Sequence, residues 1–171
     1  RSLLRRAAVL AAAGATGRAH AARSKGPAIY GVGRIGAPIE GRTLPGPSDF
    51  GFAADGEGGT FVCSMFGETS GFAGCNLMTV QGGITPGSLQ IFRGNATFAG
   101  KVDIMVQPDV FCGSGAPFLT LNDLDFQVEA KLGGPGKASM VLIIPAVTDT
   151  VGGNTGGIVA IGRIERKRVR P

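Results

Sequence analysis

Leu124–Leu132 (LDFQVEAKL) is the stretch that decides the fold class. Leu124, Phe126, Val128, Ala130 and Leu132 are apolar, and Asp125, Gln127, Glu129 and Lys131 alternate with them. Successive side chains of an extended chain point to opposite faces, so this period of two marks a half-buried β-strand. Ala96–Gln107 (ATFAGKVDIMVQ) repeats the pattern, with Ala96, Phe98, Val102, Ile104 and Val106 on one face and Thr97, Lys101, Asp103 and Gln107 on the other. Lys137–Pro145 (KASMVLIIP) adds an apolar run, set off by the turn Gly133-Gly134-Pro135-Gly136. The chain reads as an antiparallel β domain.

Working outward, nine candidate strands emerge: about 28–35, 48–54, 59–66, 75–82, 88–93, 96–107, 119–132, 137–145 and 157–165. Asp55-Gly56-Glu57-Gly58-Gly59 reads as a hairpin turn, Gly67–Gly74 as a second turn and Gly113–Pro117 as a third. The loop 36–47 carries three prolines and reads as irregular. Leu119 and Leu121 are odd-numbered, whereas the apolar face from Leu124 onward is even-numbered, so Asn122-Asp123 must contain a bulge or turn. Near the C-terminus, Ile158, Ala160 and Ile164 alternate with Val159, Ile161 and Arg163. Both faces are apolar there, which suits a closing strand buried in the sheet. The expected architecture is all-β: an antiparallel barrel or two-sheet sandwich of about nine strands, preceded by a helical targeting segment. Phe98, Ile104, Leu124, Phe126, Val128, Met140 and Leu142 should lie in its core.

The 171 residues fit one domain with a sizeable core. Gly makes up 30 of them without a Gly-X-Y period, as the turns of a many-stranded sheet require. The net charge of +5 hides an uneven distribution. Residues 1–25 hold six basic residues and no acid, and 163–171 hold five basic residues against Glu165 alone. The body between them holds six basic and eleven acidic residues. An acidic body with basic ends is the reverse of a nucleic-acid-binding domain, and no nucleic-acid partner is expected. The basic ends read as solvated tails.

The organisation expected is a targeting segment at 1–25, a single β domain at 26–165 and a basic tail at 166–171. Arg5-Arg6 precede the short apolar run Ala7–Ala15, and Ala19-His20-Ala21 follows as a small-residue cleavage-like site. That order describes a secretory signal, and hence export to the medium, periplasm or cell surface. A cleaved organelle transit peptide and an ordinary surface helix are the alternatives. No stretch approaches membrane-spanning length.

Cys63, Cys75 and Cys112 form an odd set. A hairpin centred near Thr69 would bring Cys63 opposite Cys75, a geometry that permits a disulfide; two small buried core residues is the other reading. No C-x-x-C occurs and no histidine lies near, so neither a metal site nor a cofactor is expected.

The only histidine, His20, lies in the targeting segment. A chain trimmed there has no imidazole for Ser-His-Asp or Cys-His catalysis. Trp is absent and Tyr30 is the only tyrosine, which disfavours a lectin-like aromatic platform. Gly31–Gly36 (GVGRIG) matches G-x-G-x-x-G formally but sits inside a candidate strand with no helix after it, unlike a phosphate loop. Carboxylates remain. Asp123, Asp125 and Glu129 share one strand and would bind a ligand or a cation if their face lined a barrel interior. On an outer face they are solvated residues, and Gln127 and Lys131 continue that polar face. Asp55 and Glu57 lack the ligand count of a calcium loop. Asn95-Ala96-Thr97 is a formal glycosylation acceptor.

Three stretches, Gly74–Gly82, Gly94–Val106 and Asp125–Pro145, together resemble an uncharacterised class of bacterial exported β domains akin to the post-COAP-1 domain. Phe98 and Gly100, then Phe126, Val128 and Ala130, then Gly133–Gly136 follow the order of that class. Gly31–Ile35 followed by Phe50-Gly51-Phe52 fits loosely, and the likeness covers about residues 28–145. It implies an exported β domain, often an accessory part of surface proteins, and no reaction. The expectation for function is therefore a non-catalytic exported structural or protein-binding domain, with a protein or cell-envelope partner. The alternative is a barrel that holds an apolar small molecule, or an isomerase or cyclase acting by cavity shape. A carbohydrate-active enzyme would need two opposed carboxylates, and no pair stands out.

Overall fold

Period-two alternation becomes nine strands in the computed structural model, which describes residues 26–39, 48–67, 76–108, 119–147 and 154–167. The segment read as targeting, His20, Cys75 and Cys112, the stretch read as a turn at Gly113–Pro117 and all but the first residue of the one read at Gly67–Gly74 lie outside the described residues. The strands are β1 (Ala28–Pro38), β2 (Ser48–Asp55), β3 (Gly58–Gly67), β4 (Asn76–Ile84), β5 (Gln90–Phe92), β6 (Asn95–Pro108), β7 (Leu119–Lys131), β8 (Ser139–Ile143) and β9 (Asn154–Lys167). Among the described residues one 3-10 turn, Pro145–Val147, follows β8.

All pairings are antiparallel, in the order β4-β3-β2-β1-β9-β8-β7-β6-β5, and β4 also pairs with β6. That last pairing closes an eight-stranded barrel rather than a two-sheet sandwich. β5 is not a wall strand. Ile84 faces Gly100 and Gln90 faces Thr97 on the same edge of β6, so β5 continues the line of β4 after an excursion at 85–89. The Thr85 N–H donates to the Ala99 carbonyl at 2.9 Å and keeps the ladder going into that excursion.

The lumen is solid. Phe52 of β2 meets Phe98 of β6 with ring centroids 5.0 Å apart, and Phe61 of β3 meets Phe126 of β7 at 5.1 Å. Neither pair comes from neighbouring strands, so these rings pack across the barrel interior. Ile104, Val80, Val102, Val128, Val159 and Ile164 fill the space around them. Six of the seven expected core residues are fully buried, while Leu124 is half-buried and packs against the core from beside the bulge.

Gly31 makes room for this filling. A Cβ there would lie 2.4 Å from the Phe52 ring, and one at Gly33 would lie 2.2 Å from the Ile161 carbonyl. The G-V-G-R-I-G stretch is therefore a packing requirement of β1.

Val102 faces Leu124 and Ile104 faces Leu121, so two β7 residues oppose one on β6. This is the bulge expected at Asn122-Asp123, and Asp123 has φ +56° there. β9 carries a comparable irregularity. Arg34 faces Ile161 while Ile35 faces Val159, leaving Ala160 unpaired. The bulge switches the inward phase from Val159 to Ile164, both fully buried. The two apolar faces of β9 thus do not mean burial on both sides, as expected from the sequence. β9 closes the barrel against β1, and its outer face stays in solvent, with Ile161 66% exposed. It also runs to Lys167, taking Arg166 and Lys167 into the wall opposite Ile29 and Ala28.

Candidate functional site

The closed barrel assigns every wall residue to lumen or solvent, and this fixes where the expected carboxylates go. Phe126 and Val128 point inward, so Asp125 and Glu129 point outward. Asp123 and Asp125 are strongly exposed, and they gather around Lys101 rather than around a cavity. Lys101 Nζ lies 3.0 Å from Asp125 Oδ1 and 3.8 Å from Asp123 Oδ2. The hydrogen bond to Asp125 leads the effects that raise the Lys101 pKa and keep it cationic. Asp103 accepts a hydrogen bond from the Asp123 backbone at 2.9 Å. Glu129 stands apart, in an outer groove of about 280 Å³ with Thr97, Lys131 and Ser139. The three expected ligand-binding residues therefore share an outer face without converging on one point.

Asp55 accepts a hydrogen bond from the Glu57 backbone at 2.8 Å, which shapes the β2–β3 turn. Among the described residues no group of three or more His, Cys, Asp or Glu side chains could hold a metal ion. A cleft of about 490 Å³ lies at the end of the barrel where β1 begins and β9 ends. Ile29 and Ala54 line it together with Tyr30, Glu57, Thr60 and Lys167.

Cys63 is a free thiol that points into the core, 2% exposed. Val80 faces it across β3 and β4. Asn76, four residues from Val80, lies roughly 13 Å further along the strand, whereas a disulfide needs Cα atoms within about 7 Å. The hairpin is therefore not centred near Thr69, and the expected Cys63–Cys75 bond has no support in this register. Cys75 itself lies outside the described residues. Burial, with the charge of Asp49 second, pushes the Cys63 thiol up to about 12.

The outer wall divides into two unlike faces. On β6 and β7 it carries Lys101, Asp103, Asp125, Gln127 and Glu129 at mid-strand, where a lipid-facing barrel would carry an apolar band. Among the described residues no helix is long and apolar enough to cross a membrane. On β9, β1, β2 and β3 the wall is mixed, with exposed apolar side chains standing among Arg34, Asp49, Thr60, Arg163 and Lys167. Ile161 is 66% exposed, Val32 59% and Val62 42%, with Ile158 and Tyr30 also exposed. Val32 faces Gly51, which in turn faces Val62, so the two valines flank a glycine on one row. Ile161 lies diagonal to Val32 across the β1–β9 ladder.

Two polar pairs lie among these side chains, with Arg163 directly opposite Val32 and Arg34 directly opposite Ile161. Arg34 donates to both carboxylate oxygens of Asp49, at 2.7 and 2.8 Å, and the bond holds the Asp49 carboxyl below its usual pKa. Arg163 donates to Glu165 at 3.2 Å and the Tyr30 hydroxyl donates to the same carboxylate. That hydrogen bond, first among its causes, raises the Tyr30 pKa. Phe92 is equally exposed but stands elsewhere, at the β5–β6 hairpin under Arg93.

No family model matches the chain, and neither a curated protein nor a solved structure matches it significantly. Sequence reasoning had assigned no role to the exposed apolar side chains. Their signal was present in Val32 and Val62, which sit at outward positions once Phe61 and Cys63 are placed inward.

Proposed function

We propose that this chain is a non-catalytic, exported β-barrel domain that binds protein through the outer wall of β9, β1, β2 and β3. The observation that carries the reading is that phenylalanine rings meet across the lumen while Val32, Val62 and Ile161 are exposed on the outer wall. A barrel acting on a small molecule needs a concave apolar site with convergent polar groups, and here the barrel interior is occupied by phenylalanine rings. Val32, Val62 and Ile161 expose apolar surface on one side of the barrel, interleaved with Arg34 and Arg163, and apolar side chains rimmed by polar ones suit a protein contact. Export rests on the signal-like order of Arg5-Arg6, Ala7–Ala15 and Ala19-His20-Ala21. The likeness to exported accessory β domains of the post-COAP-1 kind agrees with it.

Native mass spectrometry and hydroxyl-radical footprinting of protein purified from its source test this reading together. The expected result is a polypeptide partner, with Val32, Val62 and Ile161 less oxidised than in the isolated recombinant chain. A retained small molecule, with those three side chains fully oxidised, would overturn it in favour of a ligand-holding barrel.

A further inference from the structure

We draw no further inference here: the strongest candidate, the cleft of about 490 Å³ at the end of the barrel where β1 begins and β9 ends, is lined by apolar Ile29 and Ala54 and by charges of both signs, Asp55, Glu57 and Lys167, and nothing in the structure shows what occupies it.

Discussion

Asp103 on β6 holds the backbone N–H of Asp123 on β7 at 2.9 Å, at the point where the two strands fall out of register. The bulge leaves one β7 amide without a ladder partner, and this carboxylate takes it up. Asp123 also sits at φ +56°, in the left-handed region that costs a non-glycine residue about 1 kcal/mol. Asp103→Ala should therefore cost about 0.5–1.5 kcal/mol in urea unfolding. Asp123→Gly should be neutral or stabilising, because the exposed pairing with Lys101 contributes little. Asp123→Val, β-branched at positive φ, should be the worst of the three. If Asp123→Val were as stable as Asp123→Gly, the bulge geometry would be wrong.

Gly31 and Phe52 interlock across β1 and β2. Because a Cβ at Gly31 would lie 2.4 Å from the Phe52 ring, Gly31→Ala should cost roughly 1–3 kcal/mol and Gly31→Val more. Combining Gly31→Ala with Phe52→Leu should recover part of the loss, giving a coupling energy of at least about 0.5 kcal/mol in a double-mutant cycle. Strict additivity would contradict the contact.

Cys63 makes stability fall at alkaline pH. Its folded pKa is raised from 9.0 to about 12 by burial, so the unfolded chain loses the thiol proton first. The contribution is intact below pH 9 and declines as pH rises toward 12, by up to about 1.4 kcal/mol per pH unit. Cys63→Ala should remove this part of the alkaline loss, measured as the difference in urea midpoints between pH 7 and pH 10.5. In native protein at pH 8, iodoacetamide should leave the Cys63 peptide unlabelled. Rapid native labelling would show that the thiol is not enclosed.

β9 joins β1 to β8 and carries Val159 and Ile164 into the core. Deleting residues 157–171 should abolish cooperative unfolding, because it opens the barrel along two ladders and exposes both edges. A truncated chain with an unchanged melting temperature would mean that the barrel closes without β9.

Most of this fold was readable one strand at a time. Alternation placed Phe98, Phe126 and Val128 inward, and the odd-to-even switch from Leu121 to Leu124 located the bulge, because both signals are local. The same switch between Val159 and Ile164 was open to misreading. Without the partner strand, two apolar faces look the same whether both are buried or a bulge has turned one outward. Pairings between distant residues left no local trace, so the β1–β9 closure and the β4–β5 line along β6 had to come from the structure. The partner of Cys63 is set by the β3–β4 register, which places Val80 opposite it, and composition does not reveal that. The exposed apolar side chains were hidden for a related reason: Val32, Val62 and Ile161 lie far apart in sequence and come onto one side of the barrel only when four strands stand side by side.

The central claim is that the lumen is filled by side chains, leaving the outer wall as the working surface. Aromatic NMR of the full chain, alone and with excess medium-chain fatty acid, measures this most directly. The account predicts ring–ring NOEs between Phe52 and Phe98 and between Phe61 and Phe126, unchanged by the fatty acid. Loss of those NOEs, or saturable shifts of the four rings on titration, would show a lumen that opens to ligand and would contradict it.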